Sequence, residues 1–306
     1  MRTFLDHPQA ETSTILRRLS QFLALALAAL LFWCFVSAPG VVDPEHVVEG
    51  YAAGAVMVIG IFGVLFVALR FATAGSAIYW SGGAEPKKRL GRVGLMIGVM
   101  LAVHIGAGWL FDLHDRLGET ADIVSLLTLT LVPAAFLALG IIKWPSRVKS
   151  ASTLRLVLVG ASAIGLAAAV SYAKFANGPD DLDVPSIGGL SVSLAGLIAA
   201  AAAEEVVWRI LLLTALLDLT ASRFQAVFLA GVAFGLVHAP LALMQPLIRA
   251  DWPMLQYAAN AYAPELLLLV AGGLLLAVLW LRTGSIALVV LTHSILNVGP
   301  YMMFGT

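Results

Sequence analysis

The sequence predicts an all-α membrane protein, a polytopic bundle of transmembrane helices. Three observations predict this fold class: 60% of the 306 residues are hydrophobic, only 12% are charged, and the apolar residues fall in long runs. So few charged residues cannot cover the surface of a soluble domain of this length. The net charge is zero and the basic residues form no clustered face, which excludes a nucleic-acid partner from the expected functions.

Nine apolar runs approach or exceed the roughly 20 residues that a helix needs to cross a bilayer. Short linkers join them and show no second, soluble domain. Linkers rich in Lys and Arg alternate with acidic ones, so the basic N-terminal tail predicts a cytoplasmic N-terminus. The nine predicted spans are 20–39, 51–76, 92–111, 122–142, 153–173, 187–216, 224–245, 263–281 and 284–304.

The sixth run carries the first of three polar clusters, the segment from Glu204 to Arg209. Ionised side chains at bilayer depth cost roughly 2.5–3.5 kcal/mol each on insertion scales, so they must be paired or face a protein interior. Glu205 and Arg209 are four residues apart and share a helix face. Glu204 points about 100° away on the helical wheel. Arg209 can therefore neutralise one carboxylate and leave the other for a different task, although a purely structural ion pair fits the same pattern.

The other two clusters pair Phe234 with His238 and His293 with Asn297, each four residues apart on one helix face. Either pair alone is equally typical of interhelical hydrogen bonding and packing. The rise of a helix, however, sets Glu204 and these three polar side chains at about 14 to 21 Å from the cytoplasmic ends of their helices. A shared depth on three helices favours one common site.

A carboxylate beside a histidine in a low-dielectric cavity can act as a general base on water. A second histidine and an asparagine amide can donate hydrogen bonds to a developing oxyanion. Such a set suffices for peptide hydrolysis without an acyl-enzyme. Glu204, His238 and His293 can also bind zinc, but the helical H-E-x-x-H spacing is absent, so no cofactor is the favoured expectation. A proton-coupled transporter and a catalytically silent immunity or binding scaffold are the alternatives.

In their order along the chain, E-E-x-x-x-R, F-x-x-x-H and H-x-x-x-N resemble the motifs of the CPBP intramembrane proteases, which are similar to the type II CAAX-prenyl protease. The resemblance covers about residues 187–300. It implies that Glu204 activates water with help from His238, and that His293 and Asn297 hold the oxyanion.

The resemblance also implies supporting roles for Glu205, Arg209 and the motif residue Phe234. Trp208 shares a helix face with Glu204 and lies too deep to be an interface anchor, so we expect it to support the site as one of its walls. It divides the chain into residues 1–186, an N-terminal tail with about five additional helices, and residues 187–306, a catalytic core. The implied partners are the lipid bilayer and a membrane-embedded or lipidated peptide substrate. The implied location is a multi-pass position in the cell membrane.

Overall fold

The structure, a computed structural model, describes residues 12–37, 44–74, 80–81, 85–110, 119–147, 151–176, 187–220, 222–248 and 250–304. Within these ranges the helices are α1 (Thr12–Ser37), α2 (Val47–Thr73), α3 (Pro86–Leu110), α4 (Glu119–Ala138), α5 (Thr153–Ala176), α6 (Ile187–Glu205), a π-helical segment (Val206–Leu213), α7 (Thr214–Thr220), α8 (Arg223–Ile248), α9 (Trp252–Thr283) and α10 (Ile286–Phe304). A 3-10 turn, Pro44–His46, precedes α2.

The predicted all-α class is confirmed, apart from one very short strand pair. Strands β1 (Trp80–Ser81) and β2 (Ser146–Arg147) pair antiparallel over two residues. Among the residues that the structure describes, six helices are long and apolar enough to cross a membrane. The protein is therefore an integral membrane protein. Each of the nine predicted runs lies largely in helix, but the count of nine spans and the cytoplasmic N-terminus stay predictions.

Several helices begin at a residue whose side chain accepts a hydrogen bond from the backbone N–H three positions later, the usual N-cap arrangement. The capping residues are Ser152 for α5, Ser222 for α8, Asp251 for α9 and Ser285 for α10. Just before Ser285, Gly284 adopts φ +59°, and its N–H donates to the Trp280 carbonyl at 2.7 Å. This left-handed residue ends α9 and lets α10 begin two residues later.

The chain forms two units, and the first comprises Met1–Gly75 with Leu219–Leu275. It contains α1, α2, α8 and most of α9. Glycines let α8 and α9 approach at the level of the backbone, since a Cβ on Gly273 would lie 2.8 Å from the Gly231 carbonyl oxygen. Close approach at small residues is the usual way in which membrane helices associate. Unit 1 is therefore built on a tightly packed pair, α8 and α9.

The second unit comprises Ser76–Asp218 with Leu276–Thr306. In it α10 packs against α5 and α6, α4 packs against α6, and α3 contacts the π-helical segment. A buried ion pair joins α3 to α7, with Arg89 Nη1 3.1 Å from Asp218 Oδ2. These contacts fix α10 beside the end of α6, where two of the three polar clusters lie.

The sixth predicted run is not one continuous α-helix, which is where the structure differs most from the sequence prediction. The α-helix ends at Glu205, eight π-helical residues follow, and α7 resumes at Thr214. The Thr214 hydroxyl donates to the Arg209 carbonyl, five residues earlier, at 3.4 Å. Pi-helical turns are rare and occur frequently at functional sites.

The predicted division of the chain into an N-terminal part, 1–186, and a catalytic core, 187–306, rests on the sequence motifs rather than on packing. It stays a prediction.

Candidate active site

Four of the predicted site residues meet in unit 2 at the end of α6. Glu204 and Glu205 are the last two residues of α6, Arg209 lies in the π-helical segment, and His293 lies on α10. Because α10 packs directly on α6, residues that are 88 positions apart in the chain come into hydrogen-bonding contact. The first and third sequence motifs therefore share one buried cluster.

Glu205 is the centre of this cluster and is completely buried. One carboxylate oxygen, Oε1, lies 2.7 Å from His293 Nδ1, and the other, Oε2, lies 2.9 Å from Arg209 Nε. A buried carboxylate is tolerated only when charged partners and hydrogen bonds compensate for its lost hydration. Oε1 has a hydrogen-bonding partner and Oε2 an ionic one, so this residue can orient its neighbours.

The bond to Glu205 fixes the orientation of the His293 ring. A carboxylate oxygen can only accept, so Nδ1 of His293 carries the proton in this bond. The other ring nitrogen, Nε2, lies 4.0 Å from Oε2 of Glu204. That separation is too long for a direct hydrogen bond.

Exposure distinguishes the two adjacent glutamates. The Glu204 side chain is 18% exposed, whereas the Glu205 side chain is 0% exposed. A reactant can therefore reach Glu204, but it cannot reach Glu205. Glu204 has the accessibility that a general base needs, and Glu205 has the burial of a supporting residue.

Two more predicted residues lie in the same unit. Asn297 is one helical turn beyond His293 on α10 and is partly buried. Trp208 lies in the π-helical segment, four residues after Glu204, and is buried with 1% of its surface exposed. Their roles, as oxyanion donor and as a wall of the site, stay predictions.

Phe234 and His238 lie on α8 in unit 1 and are described there by themselves. His238 Nδ1 donates to the Phe234 carbonyl at 2.7 Å, and the two rings pack edge to face with centroids 5.0 Å apart. In a neutral imidazole whose Nδ1 carries the proton, Nε2 is the acceptor. With Nδ1 bonded to the backbone, Nε2 is the ring nitrogen of His238 that can act as an acceptor. Its meeting with Glu204 stays a prediction.

The metal question depends on which ligand atoms are available. Among the described residues, no three His, Cys, Asp or Glu side chains group as a metal site. His293 Nδ1 is already bonded to Glu205, so only Nε2 of that ring could face a metal. The set Glu204, His238 and His293 would have to supply the ligands. A metal-independent reaction stays the prediction.

Sequence reasoning missed the contact between Glu205 and His293. It assigned Arg209 to Glu205 from their four-residue spacing but gave His293 only to the oxyanion. No local signal could have indicated the pairing, because the residues lie on separate helices, α6 and α10. The similar depth of Glu204 and His293 in their predicted helices was the only sequence observation that placed them in one site.

Comparison with known families gives one match. Residues 186–299 match the family model described as type II CAAX prenyl endopeptidase Rce1-like. The matched region contains all three sequence motifs and runs from the residue before α6 into α10. No curated protein matches the chain, and no solved structure matches it.

Proposed function

We propose that this chain is a CPBP intramembrane protease that hydrolyses a peptide bond of a membrane-embedded or lipidated substrate, because residues 186–299 match the Rce1-like type II CAAX prenyl endopeptidase model. The family implies a protease, and the resemblance seen in the three motifs is confirmed by the match. The substrate and the division of roles among the site residues belong to the proposal.

The observation that carries the proposal is the contrast between Glu204 and Glu205. One carboxylate is partly open to a reactant, while its neighbour is buried and holds His293 by a 2.7 Å hydrogen bond. Hydrolytic sites commonly place an accessible base beside a second group that a third residue holds in position. Here the base would be Glu204, the second group His293 and the third residue Glu205. A purely structural ion pair would need only Glu205 and Arg209, and it would not account for the partly exposed Glu204.

In the proposed reaction Glu204, assisted by His238, takes a proton from water as the water oxygen bonds to the carbonyl carbon of the scissile peptide. The carbonyl π electrons move to its oxygen, and His293 and Asn297 donate hydrogen bonds to that oxyanion. When the carbonyl re-forms, the carbon–nitrogen bond breaks. The proton held by Glu204 then passes to the leaving nitrogen, which departs as an amine.

The charges of the cluster support the donor role of His293. Two carboxylates, Glu204 and Glu205, and one guanidinium, Arg209, carry a net charge of minus one. A proton on both nitrogens of His293 brings the cluster to neutrality, which a low-dielectric site favours. In that form Nδ1 donates to Glu205 and Nε2 can donate to the oxyanion.

The test is product analysis with the purified protein in proteoliposomes. Farnesylated, palmitoylated and unmodified peptides are incubated with the wild type and with Glu204→Gln, and new termini are identified by mass spectrometry. The proposal predicts cleavage that Glu204→Gln abolishes. Proton uptake without cleavage would identify a carrier instead, and the absence of both would indicate a silent scaffold. Cleavage that a chelator abolishes and zinc restores would overturn the metal-independent reaction.

A further inference from the structure

Unit 1 contains a cavity of about 810 Å³, open on one side, between α1, α2, α8 and the part of α9 in that unit. Its lining is almost entirely apolar along the body, with residues such as Ala24, Leu27 and Phe228. An apolar cavity does not hold water well, and an empty one forfeits the dispersion contacts of its walls. A hydrocarbon chain in the cavity would restore those contacts.

Polar groups of the lining concentrate at one end of the cavity. They are Arg17, Ser20 and Gln21 near the start of α1, with Ser222 and Gln225 at the start of α8. Gln225 Nε2 donates to Ser20 Oγ at 3.3 Å, so these two helix starts meet. Among the described residues that line the cavity there is no Asp or Glu to offset the charge of Arg17. One end is therefore polar and cationic, and the body is apolar.

Hydrogen bonds hold α1 near both of its ends. Besides the Ser20 contact, Trp33 Nε1 donates to Asn260 Oδ1 on α9 at 3.3 Å. On another wall, Phe66 of α2 packs edge to face on Phe224 of α8, with centroids 4.9 Å apart. These contacts join the helices that form the walls of the cavity.

The dimensions favour a slender occupant. The α1 lining runs from Arg17 to Cys34, which is about 26 Å at the rise of a helix. This length approaches the hydrocarbon thickness of a bilayer, about 30 Å. A volume of about 810 Å³ spread over that length makes the cavity narrower on average than a helix of about 10 Å diameter. A flexible hydrocarbon chain fits this space better than a substrate helix or a second copy of α1.

We infer that this cavity binds one anionic phospholipid, with its acyl chain along the apolar lining and its phosphate at Arg17. A basic side chain near the membrane surface attracts an anionic headgroup, and the long Arg side chain can bury its stem while its guanidinium reaches the interface. The bound lipid would fill the space between α1 and the α8–α9 pair. It is a site for a resident lipid, separate from the peptide substrate.

The experiment is native mass spectrometry of the full chain released from detergent after exchange with two lipids. Dioleoyl phosphatidylglycerol and dioleoyl phosphatidylcholine have the same chains and differ in net headgroup charge. We expect one phosphatidylglycerol retained per protein, with a preference of about fivefold, typical of one basic residue at an anionic surface. Equal retention of the two lipids, or retention of neither, overturns the assignment.

Matched variants test the two ends of the site. Arg17→Gln should abolish the preference, whereas Arg18→Gln, which changes the neighbouring residue outside the lining, should keep it. Ala24→Trp should fill the cavity and prevent retention, whereas Ala29→Trp, exposed on α1, should not. An unfolding midpoint near that of the wild type shows that each variant is folded.

Competition experiments distinguish a bound phospholipid from free phosphate and from the peptide substrate. Inorganic phosphate should not displace the retained lipid, because it offers nothing to the apolar body, and displacement by phosphate overturns the chain assignment. A farnesylated peptide should not displace it either. If it does, and Ala24→Trp also loses cleavage of that peptide, the cavity is a substrate site and the lipid proposal is wrong. Cleavage by Ala24→Trp at the wild-type rate keeps the two sites separate.

Discussion

Nδ1 of His293 donates a hydrogen bond to Oε1 of Glu205 over 2.7 Å, and this bond joins α10 to the end of α6. The same carboxylate holds Arg209 through its other oxygen, at 2.9 Å. One buried residue thus determines how the His293 ring is turned and where the guanidinium lies. The adjacent Glu204 is left open to a reactant. The proposed chemistry depends on this division between two neighbouring carboxylates.

Glu205→Gln should lower the cleavage rate while peptide binding changes little. The amide no longer stabilises a positively charged His293, so the expected loss in kcat is on the order of 10²-fold or more. Steady-state kinetics with a lipidated peptide check this, with kcat and KM reported separately. Equal activity of Glu205→Gln and the wild type would contradict the orienting role.

A double variant separates orientation from stability. Glu205→Gln leaves Arg209 buried with its carboxylate partner removed, and breaking such a pair costs about 3–5 kcal/mol. Glu205→Gln combined with Arg209→Met removes both charges and should recover most of the unfolding free energy without recovering kcat. The two readouts are thermal unfolding in detergent and peptide cleavage. Recovery of both together would reduce Glu205 to a purely structural residue.

Asp218→Asn should destabilise the protein far more than Glu85→Gln. Asp218 and Arg89 form a pair whose side chains are 5% and 8% exposed, so loss of the carboxylate leaves a buried cation and costs about 3–5 kcal/mol. Glu85 and Lys88 form a shorter pair, at 2.7 Å, but on the surface. Water screens that pair, so its loss should leave the unfolding free energy unchanged. Equal effects in equilibrium unfolding would be inconsistent with this difference in burial.

Gly231→Ala should loosen the pairing of α8 with α9. An added Cβ would meet Leu274 at 2.6 Å for its side chain and 2.9 Å for its backbone nitrogen, so the helices must separate. Overpacking of this kind costs about 1–3 kcal/mol. Gly60→Ala on α2, where nothing lies within 4 Å of the new methyl, is the matched control. Unfolding midpoints measured in the same detergent should fall only for Gly231→Ala.

Much of the fold and part of the site follow from the sequence. Run length and hydropathy indicate the helices because each must hydrogen-bond its own backbone within lipid. The four-residue spacing of Glu205 and Arg209 indicates their contact because it is local. The start of α9 at Trp252 also had a signal, the capping Asp251, but the predicted span began at residue 263. That signal lies outside the apolar run used to predict the span.

The rest depends on tertiary contacts that no local pattern records. The π-helical turn at Val206–Leu213 arises in a sequence of ordinary helix-compatible apolar residues, so nothing in its composition indicates the change of hydrogen-bond register. The bond between Glu205 and His293 spans 88 positions and exists only because α10 packs on α6. Similar depth suggested that these helices shared a site, but it could not decide which glutamate would contact the histidine.

The most direct measurement is single-turnover cleavage of a lipidated peptide by Glu204→Gln, beside Glu265→Gln as a control at an exposed glutamate of α9. Both changes replace a carboxylate with an amide of the same shape. The proposed role of Glu204 predicts at least about a 10³-fold slower cleavage step in Glu204→Gln, an unchanged rate in Glu265→Gln and similar unfolding midpoints for both. Cleavage by folded Glu204→Gln at the wild-type rate would show that this carboxylate is not the base.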